Sequence, residues 1–563
     1  MDKNIVSRVY LGGLLILALS LFYYQALKGE HYLRRAKNNY VRVVPLRSIR
    51  GSIFDRNSRV LAYDKAVFNI AVIPHQIEKK KNSLLKELAK FSDYDVNLIH
   101  RNYNRGLNNI FSPVDVILDI NKSMVLKLKE RFKDDILINP QAQRYYSYPY
   151  EFAHLLGYVK EAAPFYESLK KYGYRPLERV GFLGIEQYHD AYLKGEDGGD
   201  LIEVNAAGRT VGFLGVRKPK RGKDVYLTID CRIQKIAHQI LGEKKGVIIL
   251  MDSKSGEIFS LVSSPSFDPN FFIKGGNVQR FLDNKNYPLF NRAIQATYPL
   301  GSTFKPIIGV AALEEGKITP STKFNCIGGI NIADTEFSCW SVHGEENLHQ
   351  GLAHSCNVYF YNLGIILGAE TMAKWAKKFG LDSLRGIDLP YEKKGFVPTP
   401  QWKTDALGKH WFLGDTLNLS IGQGFIEASP LEVLLGINVF ANGGYLVRPY
   451  LLWKVDNADS RLRAKTYLGI SQGNLNIIKQ GLIGAIEADG GTAQLLKKLN
   501  LNIAGKTGTA QTKGESHGWF VGFFPHQEPK YAICVFLEHG GSSYEALGVT
   551  YLFLKRLKEE NLL

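Results

Sequence analysis

Ser302 and Lys305 stand at i and i+3 in "PLGSTFKP", a spacing that on a helix brings both side chains to one face and within reach of each other. A serine hydroxyl becomes an effective nucleophile when a neighbour takes its proton, and a lysine can do so when burial and the positive end of a helix lower its pKa. Gly301 permits a tight turn just before the serine. Two further elements extend the pattern. Ser355-Cys356-Asn357 supplies a second hydroxyl and an amide, and Lys506-Thr507-Gly508 in "IAGKTGTAQT" sits on a stretch that reads as a strand. The order and spacing fit one cleft assembled from a helix start, a loop and a strand edge around an activated serine.

A second cluster overlaps the first. Cys326, Cys339 and Cys356, three of the five cysteines, fall within 31 positions together with His343. The spacing C-x12-C-x3-H-x12-C offers four ligands of the types that closed tetrahedral zinc sites use. If Ser355 and Asn357 face the cleft from an extended segment, Cys356 faces its other side, and a metal there would fix the backbone carrying both. A Cys326–Cys339 disulfide is the alternative in an oxidising compartment, buried free thiols are another, and His349 or His354 could replace a ligand. Cys231 and Cys534 lie in apolar runs and read as core positions.

The elements that must hold these residues follow from patterning. Val9 to Leu27 is an apolar run of 19 residues, close to the roughly 20 that span a bilayer and longer than a signal-peptide core, so it reads as an uncleaved anchor. Lys3 and Arg8 precede it while Lys28, Arg34, Arg35, Lys37 and Arg42 follow, so charge alone points the wrong way for an exported catalytic domain. A strand-rich stem comes next, and helical spacing in "SLLKELAKF" and "SMVLKLKERF" predicts a small α/β head inserted at about 77–140. Residues 1–8 then form a cytoplasmic tail, 9–27 the anchor, 28–223 the pedestal with its head, and 224–563 the catalytic domain. Strands at both ends of that last segment, with helices between, predict an α+β fold in which helices pack on an antiparallel sheet. The formal charge of +17 fits an acidic cell envelope; no nucleic-acid module is visible, and runs such as Lys79-Lys80-Lys81 read as solvated helix surface.

The flanking sequences carry a wider likeness. "RGSIFDRN", "GFLGIEQYHDAYLKG", "SSPSFDPN", "NRAIQATYPLGSTFKP", "GQG" at Gly422 to Gly424 and "HGWFVGFFP", with the three motifs above, resemble the class B penicillin-binding proteins over nearly the whole chain. The segment "FSCWSVHGEENLHQGLAHSCNVYFY" resembles the elongation-specific branch of that family. Leu300 departs from it, since relatives usually have proline there.

The resemblance implies a peptidoglycan D,D-transpeptidase, inhibited by β-lactams, in the inner membrane with its catalytic domain outside the cytoplasm. It implies that Ser302 attacks the stem-peptide carbonyl, Lys305 takes the proton, Ser355 relays it, Asn357 holds lysine and substrate, and Lys506, Thr507 and Gly508 receive the donor peptide. The N–H groups of Ser302 and Thr509 would form the oxyanion hole. No cofactor is needed for the chemistry, and zinc would be structural. A membrane glycosyltransferase of the SEDS type, RodA, and an MreC-like scaffold are the implied partners. A D,D-carboxypeptidase or β-lactamase, and a non-catalytic penicillin sensor, are the competing functions. Asp55 and Arg56 read as a structural turn or salt bridge.

Overall fold

The computed structural model describes residues 3–107, 110, 113–162, 165–172, 174, 178–205, 210–273, 278–332, 334–461 and 463–563. The chain divides into two compact units: residues 1–51, 64–143 and 194–222 form one, and residues 52–63, 144–193 and 223–563 the other.

The smaller unit begins with the helix Lys3–Phe22, continued by a wider turn over Tyr23–Leu27. Ile5–Leu27 is long and apolar enough to cross a membrane, and its side chains are exposed, as lipid contact requires. Val41–Leu46, Gly198–Val204 and Thr210–Arg217 make a three-stranded antiparallel sheet. Helices Lys81–Ser92, Val96–Gly106 and Lys122–Phe132 bury Leu84, Leu85, Leu88, Ile99, Tyr103, Leu128 and Phe132 in one core. Their apolar positions recur at i, i+3 and i+4, as amphipathic helices require.

The larger unit is built on five antiparallel strands: β1 (Gly246–Asp252), β2 (Ile258–Ser264), β3 (Ala504–Ala510), β4 (Ser516–Phe524) and β5 (Tyr531–Gly541), in the order β2-β1-β5-β4-β3. Both faces are covered, so the strands read as continuous apolar runs. The period of two still sorts them. Val247, Ile249, Met251, Val521, Phe523 and Cys534 join one core, whereas Ile248, Leu250, Phe520, Phe524, Ile533 and Val535 join the other. The second core is closed by helices α1 (Cys231–Leu241) and α6 (Ser543–Glu559). The first is closed by a helical layer containing α2 (Lys305–Glu314), α3 (Leu348–Ala353) and α4 (Asn357–Lys378, interrupted at Gly368). Helix α5 (Gln472–Glu487) contributes Leu475, Ile478 and Leu482 to the first core and Ala485 and Ile486 to the second.

Two segments far upstream complete this unit. Ile53–Phe54 pairs in parallel with Val225–Leu227. The buried Asp55 carboxylate accepts from the backbone N–H of Asn57, Arg59 and Cys231, and Arg56 lies 3.6 Å from Glu257. The Asp55-Arg56 turn is thus a structural joint. In the second segment Arg144 and Glu186, both fully buried, pair at 2.6 Å, and Phe152, Leu155, Leu156, Tyr158 and Ile185 join the first core. Cys231 and Cys534 are buried there as core positions.

Candidate active site

The chain enters the site through Pro299 and Leu300. Trp519 donates its indole N–H to Pro299 O at 3.1 Å, Leu300 is buried, and its carbonyl accepts the Thr303 hydroxyl at 2.8 Å. Leucine at position 300 therefore leaves the turn intact. Gly301 has φ +54, and a Cβ there would lie 2.6 Å from Thr509 O, so only glycine fits. Gly301 to Phe304 form a 3-10 turn bearing Ser302, which leads into α2 with Lys305 as its first residue.

Lys305 is fully buried. Its Nζ donates to Ser355 O at 2.7 Å, Ser355 Oγ at 3.3 Å and Asn357 Oδ1 at 2.7 Å. These three acceptors match the three protons of an ammonium. Burial nevertheless disfavours the charge and lowers the Lys305 pKa to about 8, with the nearby Cys339 and Cys356 thiols acting in the opposite direction. At neutral pH about a tenth is then the free amine, far more than for an ordinary lysine, and this is the form that can accept a hydroxyl proton.

The segment carrying Ser355 differs from the extended run expected from the sequence. Helix α3 opens on a capping box between Asn347 and Gln350 and closes in a Schellman motif. Ser355 N–H bonds Leu352 O, Cys356 N–H bonds Gly351 O, and Ser355 stands at φ +57. That position usually belongs to glycine, so a serine here carries backbone strain of about 1 kcal/mol. Cys356 then caps α4, its Sγ accepting from Tyr359 N–H at 3.4 Å, and Asn357 is the first helical residue. A turn between two helices, not strand alternation, separates the directions of Ser355, Cys356 and Asn357.

Strand β3 is the outer strand of its sheet, and it carries Lys506, Thr507, Gly508 and Thr509. Lys506 is fully buried; its Nζ contacts Thr507 O at 3.3 Å, and burial, then the charge of Lys305, hold its pKa well below the usual lysine range. A Cβ on Gly508 would lie 2.9 Å from Thr303 Cγ2 and 3.1 Å from Leu300 O. The glycine therefore lets the strand pack against the nucleophile turn, a reason that spacing alone does not reveal. Thr509 is fixed from two sides, its carbonyl accepting from Gln423 Nε2 at 3.3 Å and its hydroxyl accepting from Ser543 N–H at 3.1 Å.

Beside this cleft the ligand atoms of Cys326, Cys339, His343 and Cys356 all lie within 4.8 Å of one another. His343 Nδ1 is 3.5 Å from Cys326 Sγ and 3.6 Å from Cys339 Sγ. Asn357 N–H donates to Cys339 Sγ at 3.2 Å, so the cluster touches the catalytic segment directly. Hydrogen bonding from the Cys356 thiol, helped by backbone N–H groups and opposed by burial, lowers the Cys339 pKa, while Cys356 is pushed up. All five cysteines are free thiols, so Cys326 and Cys339 are not joined. His354 is not part of the group: its Nδ1 contacts Glu346 Oε1 at 2.8 Å and its Nε2 Asp489 O at 3.1 Å.

The structure thus brings Lys305, Ser355 and Asn357 into direct contact and sets the Lys506–Thr509 strand against the Ser302 turn. Gln423, within the "GQG" of the sequence, contacts Thr509, a role that its sequence neighbours do not signal. Thr492 bonds the Thr507 hydroxyl at 2.9 Å; no motif marks it.

Two family models match the chain. One is described as the penicillin binding protein transpeptidase domain, over residues 246–557, and the other as the penicillin-binding protein dimerisation domain, over residues 45–227. The chain is 32% identical to the peptidoglycan D,D-transpeptidase MrdA of Acinetobacter baumannii, across 94% of this chain and 84% of the relative. It resembles penicillin-binding protein PBP2 of Helicobacter pylori, solved in complex with MreC, with a TM-score of 0.82 and 29% identity, covering 93% of this chain and 100% of that one. It also resembles a chain of a peptidoglycan synthase complex, solved for the coordination of polymerization and crosslinking, with a TM-score of 0.73 and 27% identity over 98% of this chain and 97% of that one.

Proposed function

The chain belongs to the penicillin-binding protein transpeptidases, and on that premise we propose which of its residues carry the reaction. It is a class B peptidoglycan D,D-transpeptidase, a serine acyltransferase that cross-links stem peptides during cell-wall elongation and is inhibited covalently by β-lactams. In the proposed cycle Ser302 Oγ attacks the carbonyl of the penultimate D-alanine of a donor stem peptide, and its proton passes to the neutral amine of Lys305. The N–H groups of Ser302 and Thr509 receive the oxyanion, each worth about 3 kcal/mol in comparable acyl-transfer sites. The carbon–nitrogen bond breaks, and Ser355 relays a proton from Lys305 to the leaving terminal D-alanine. An amine of a neighbouring stem peptide then attacks the Ser302 ester and gives up a proton, forming the cross-link and restoring the serine. Lys506 and Thr507 hold the donor's terminal carboxylate, and the free edge of β3 accepts the peptide as an added strand. A β-lactam enters the same sequence, but its leaving nitrogen stays tethered.

The single observation that most supports this assignment is the buried Lys305 amine, three residues after Ser302, held by Ser355 and Asn357 with a pKa near 8. An ordinary surface lysine has neither the burial nor the partners. The test is acylation by a fluorescent penicillin: Lys305→Ala is expected to fold but to acylate about 10²–10⁴-fold more slowly. Acylation at the native rate would refute the role of Lys305.

The reaction itself needs no cofactor. For Cys326, Cys339, His343 and Cys356 we infer a structural zinc ion. Zinc–sulfur bonds of about 2.3 Å in a tetrahedron place sulfurs about 3.8 Å apart, so the cluster needs only a small contraction, and a thiolate at Cys339 is the ligand form. Through Asn357 N–H and the Cys356 cap the ion would stiffen the segment bearing Ser355.

The apolar N-terminal helix fits a single-pass anchor. We assign it to the cytoplasmic membrane with the catalytic unit outside, because the substrate lies there. A SEDS-type glycosyltransferase such as RodA and an MreC-like scaffold are the proposed partners, supported by the complexes in which the similar proteins were solved.

A further inference from the structure

The two walls of the proposed cleft, the segment of Ser355 and Asn357 and the strand of Lys506 and Thr507, come from parts of the sequence about 150 residues apart. One residue outside every motif bonds to both. Thr492 N–H donates to Ala353 O at 3.3 Å, in the last turn of α3 two residues before Ser355. The Thr492 hydroxyl accepts from the hydroxyl of Thr507 at 2.9 Å. Thr507 is buried, so the partner of its hydroxyl fixes its rotamer.

The loop that presents Thr492 is itself held. It follows α5, where Ala488 N–H bonds Gly484 O, Gly491 N–H bonds Ala488 O and Ala493 N–H bonds Ala485 O. His354 Nε2 contacts Asp489 O at 3.1 Å, and the His354 ring stacks on that of His343 at 5.9 Å with the planes 6° apart. A contiguous set of contacts therefore runs from the cysteine–histidine cluster through the 488–492 loop to Thr507.

We propose that Thr492 is a positioning residue for the acyl transfer, tying the β3 wall of the cleft to the Ser355–Asn357 wall: when a substrate carboxylate takes the hydrogen bond from the single hydroxyl proton of Thr507, the Thr492 hydroxyl turns to donate to Thr507 Oγ1, so that this oxygen is held in one geometry in both states. This rests on the assignment of Ser302 and β3 made above. Because it acts through Thr507, its removal should slow the bond-making step, which depends on alignment, more than the first association.

Full-length protein in detergent is mixed with a fluorescent penicillin and followed before steady state, giving the dissociation constant of the first complex and the acylation rate constant separately. Thr492→Val, of equal size but lacking the hydroxyl, is expected to lower the acylation rate constant about tenfold and move the dissociation constant less than threefold. Thr492→Ser should restore the rate to within about twofold. In a Thr507→Val background, Thr492→Val should cost less than a further twofold. Native acylation by Thr492→Val, failure of serine to rescue, or a full second loss in the Thr507→Val background would each overturn the proposal. If Thr492→Val does not fold, Thr492→Ala takes its place with the same expectations. Should the native protein show no adduct at Ser302, the underlying assignment fails instead, and the two failures are distinct.

Discussion

Replacing Asn357 tests the Lys305 assignment through the direction of a pH shift. Asn357 Oδ1 takes one of the three Lys305 protons at 2.7 Å. Hydrogen bonds to a charged group contribute roughly 1.5–3 kcal/mol, and one pKa unit corresponds to about 1.36 kcal/mol. Asn357→Ala withdraws that stabilisation from the ammonium, so the Lys305 pKa should fall from about 8 by about 1–2 units. Asn357→Asp places a carboxylate in the same place, and an opposite charge this close raises a lysine pKa by about 1–3 units. Acylation requires the neutral amine, so the native rate should rise with pH through about 8. The midpoint should move to about 6–7 in Asn357→Ala and above about 9 in Asn357→Asp. The alanine variant should also lose plateau rate, on the order of 10²-fold, because the amide orients the lysine. The assay is the second-order acylation constant with a fluorescent penicillin from pH 5.5 to 10, with circular dichroism confirming the fold at each end. Midpoints that stay together, or move in the same direction, would refute Lys305 as the titrating base.

Gly508→Ala should strain the contact of β3 with Thr303 and Leu300; a loss of about 1–3 kcal/mol, read as a lowered unfolding temperature, should accompany slowed acylation. Protein purified without chelator should contain one equivalent of zinc by elemental analysis, lost in Cys339→Ser or His343→Ala; metal-free protein with all thiols titratable would remove the zinc assignment. Thr303→Ala should be milder than Gly508→Ala, since it opens space at the same contact and removes one hydroxyl bond to Leu300 O, worth about 1 kcal/mol; equal losses by thermal melting would contradict the packing explanation.

Much of this site is legible in the sequence because its groups are reactive types in a fixed order. Ser302, Lys305, Ser355, Asn357 and Lys506 can be picked out without any contact map, and the five-stranded sheet follows from apolar runs at both ends of the last segment. What was not legible depends on partners distant in the chain. The expected extended segment at Ser355 is a Schellman turn between two helices, since capping of α3 and α4 outweighs strand alternation there. Gly508, expected to receive the donor peptide, also packs against Thr303, a second reason for glycine that depends on a distant partner. Residues 52–63 and 144–193 fold with the catalytic segment through Asp55 to Cys231 N–H and the packing of Phe152 and Tyr158, contacts that no local pattern announces. Thr492 lies in a turn whose composition resembles any other.

The central claim, that Ser302 is the acylated nucleophile, is tested most directly by mass spectrometry of the full-length protein after incubation with a penicillin. The expected result is one adduct of the drug's full mass, located by fragmentation on Ser302 and missing from a folded Ser302→Ala variant. An adduct located on another residue, or one that persists in that variant, would contradict the assignment.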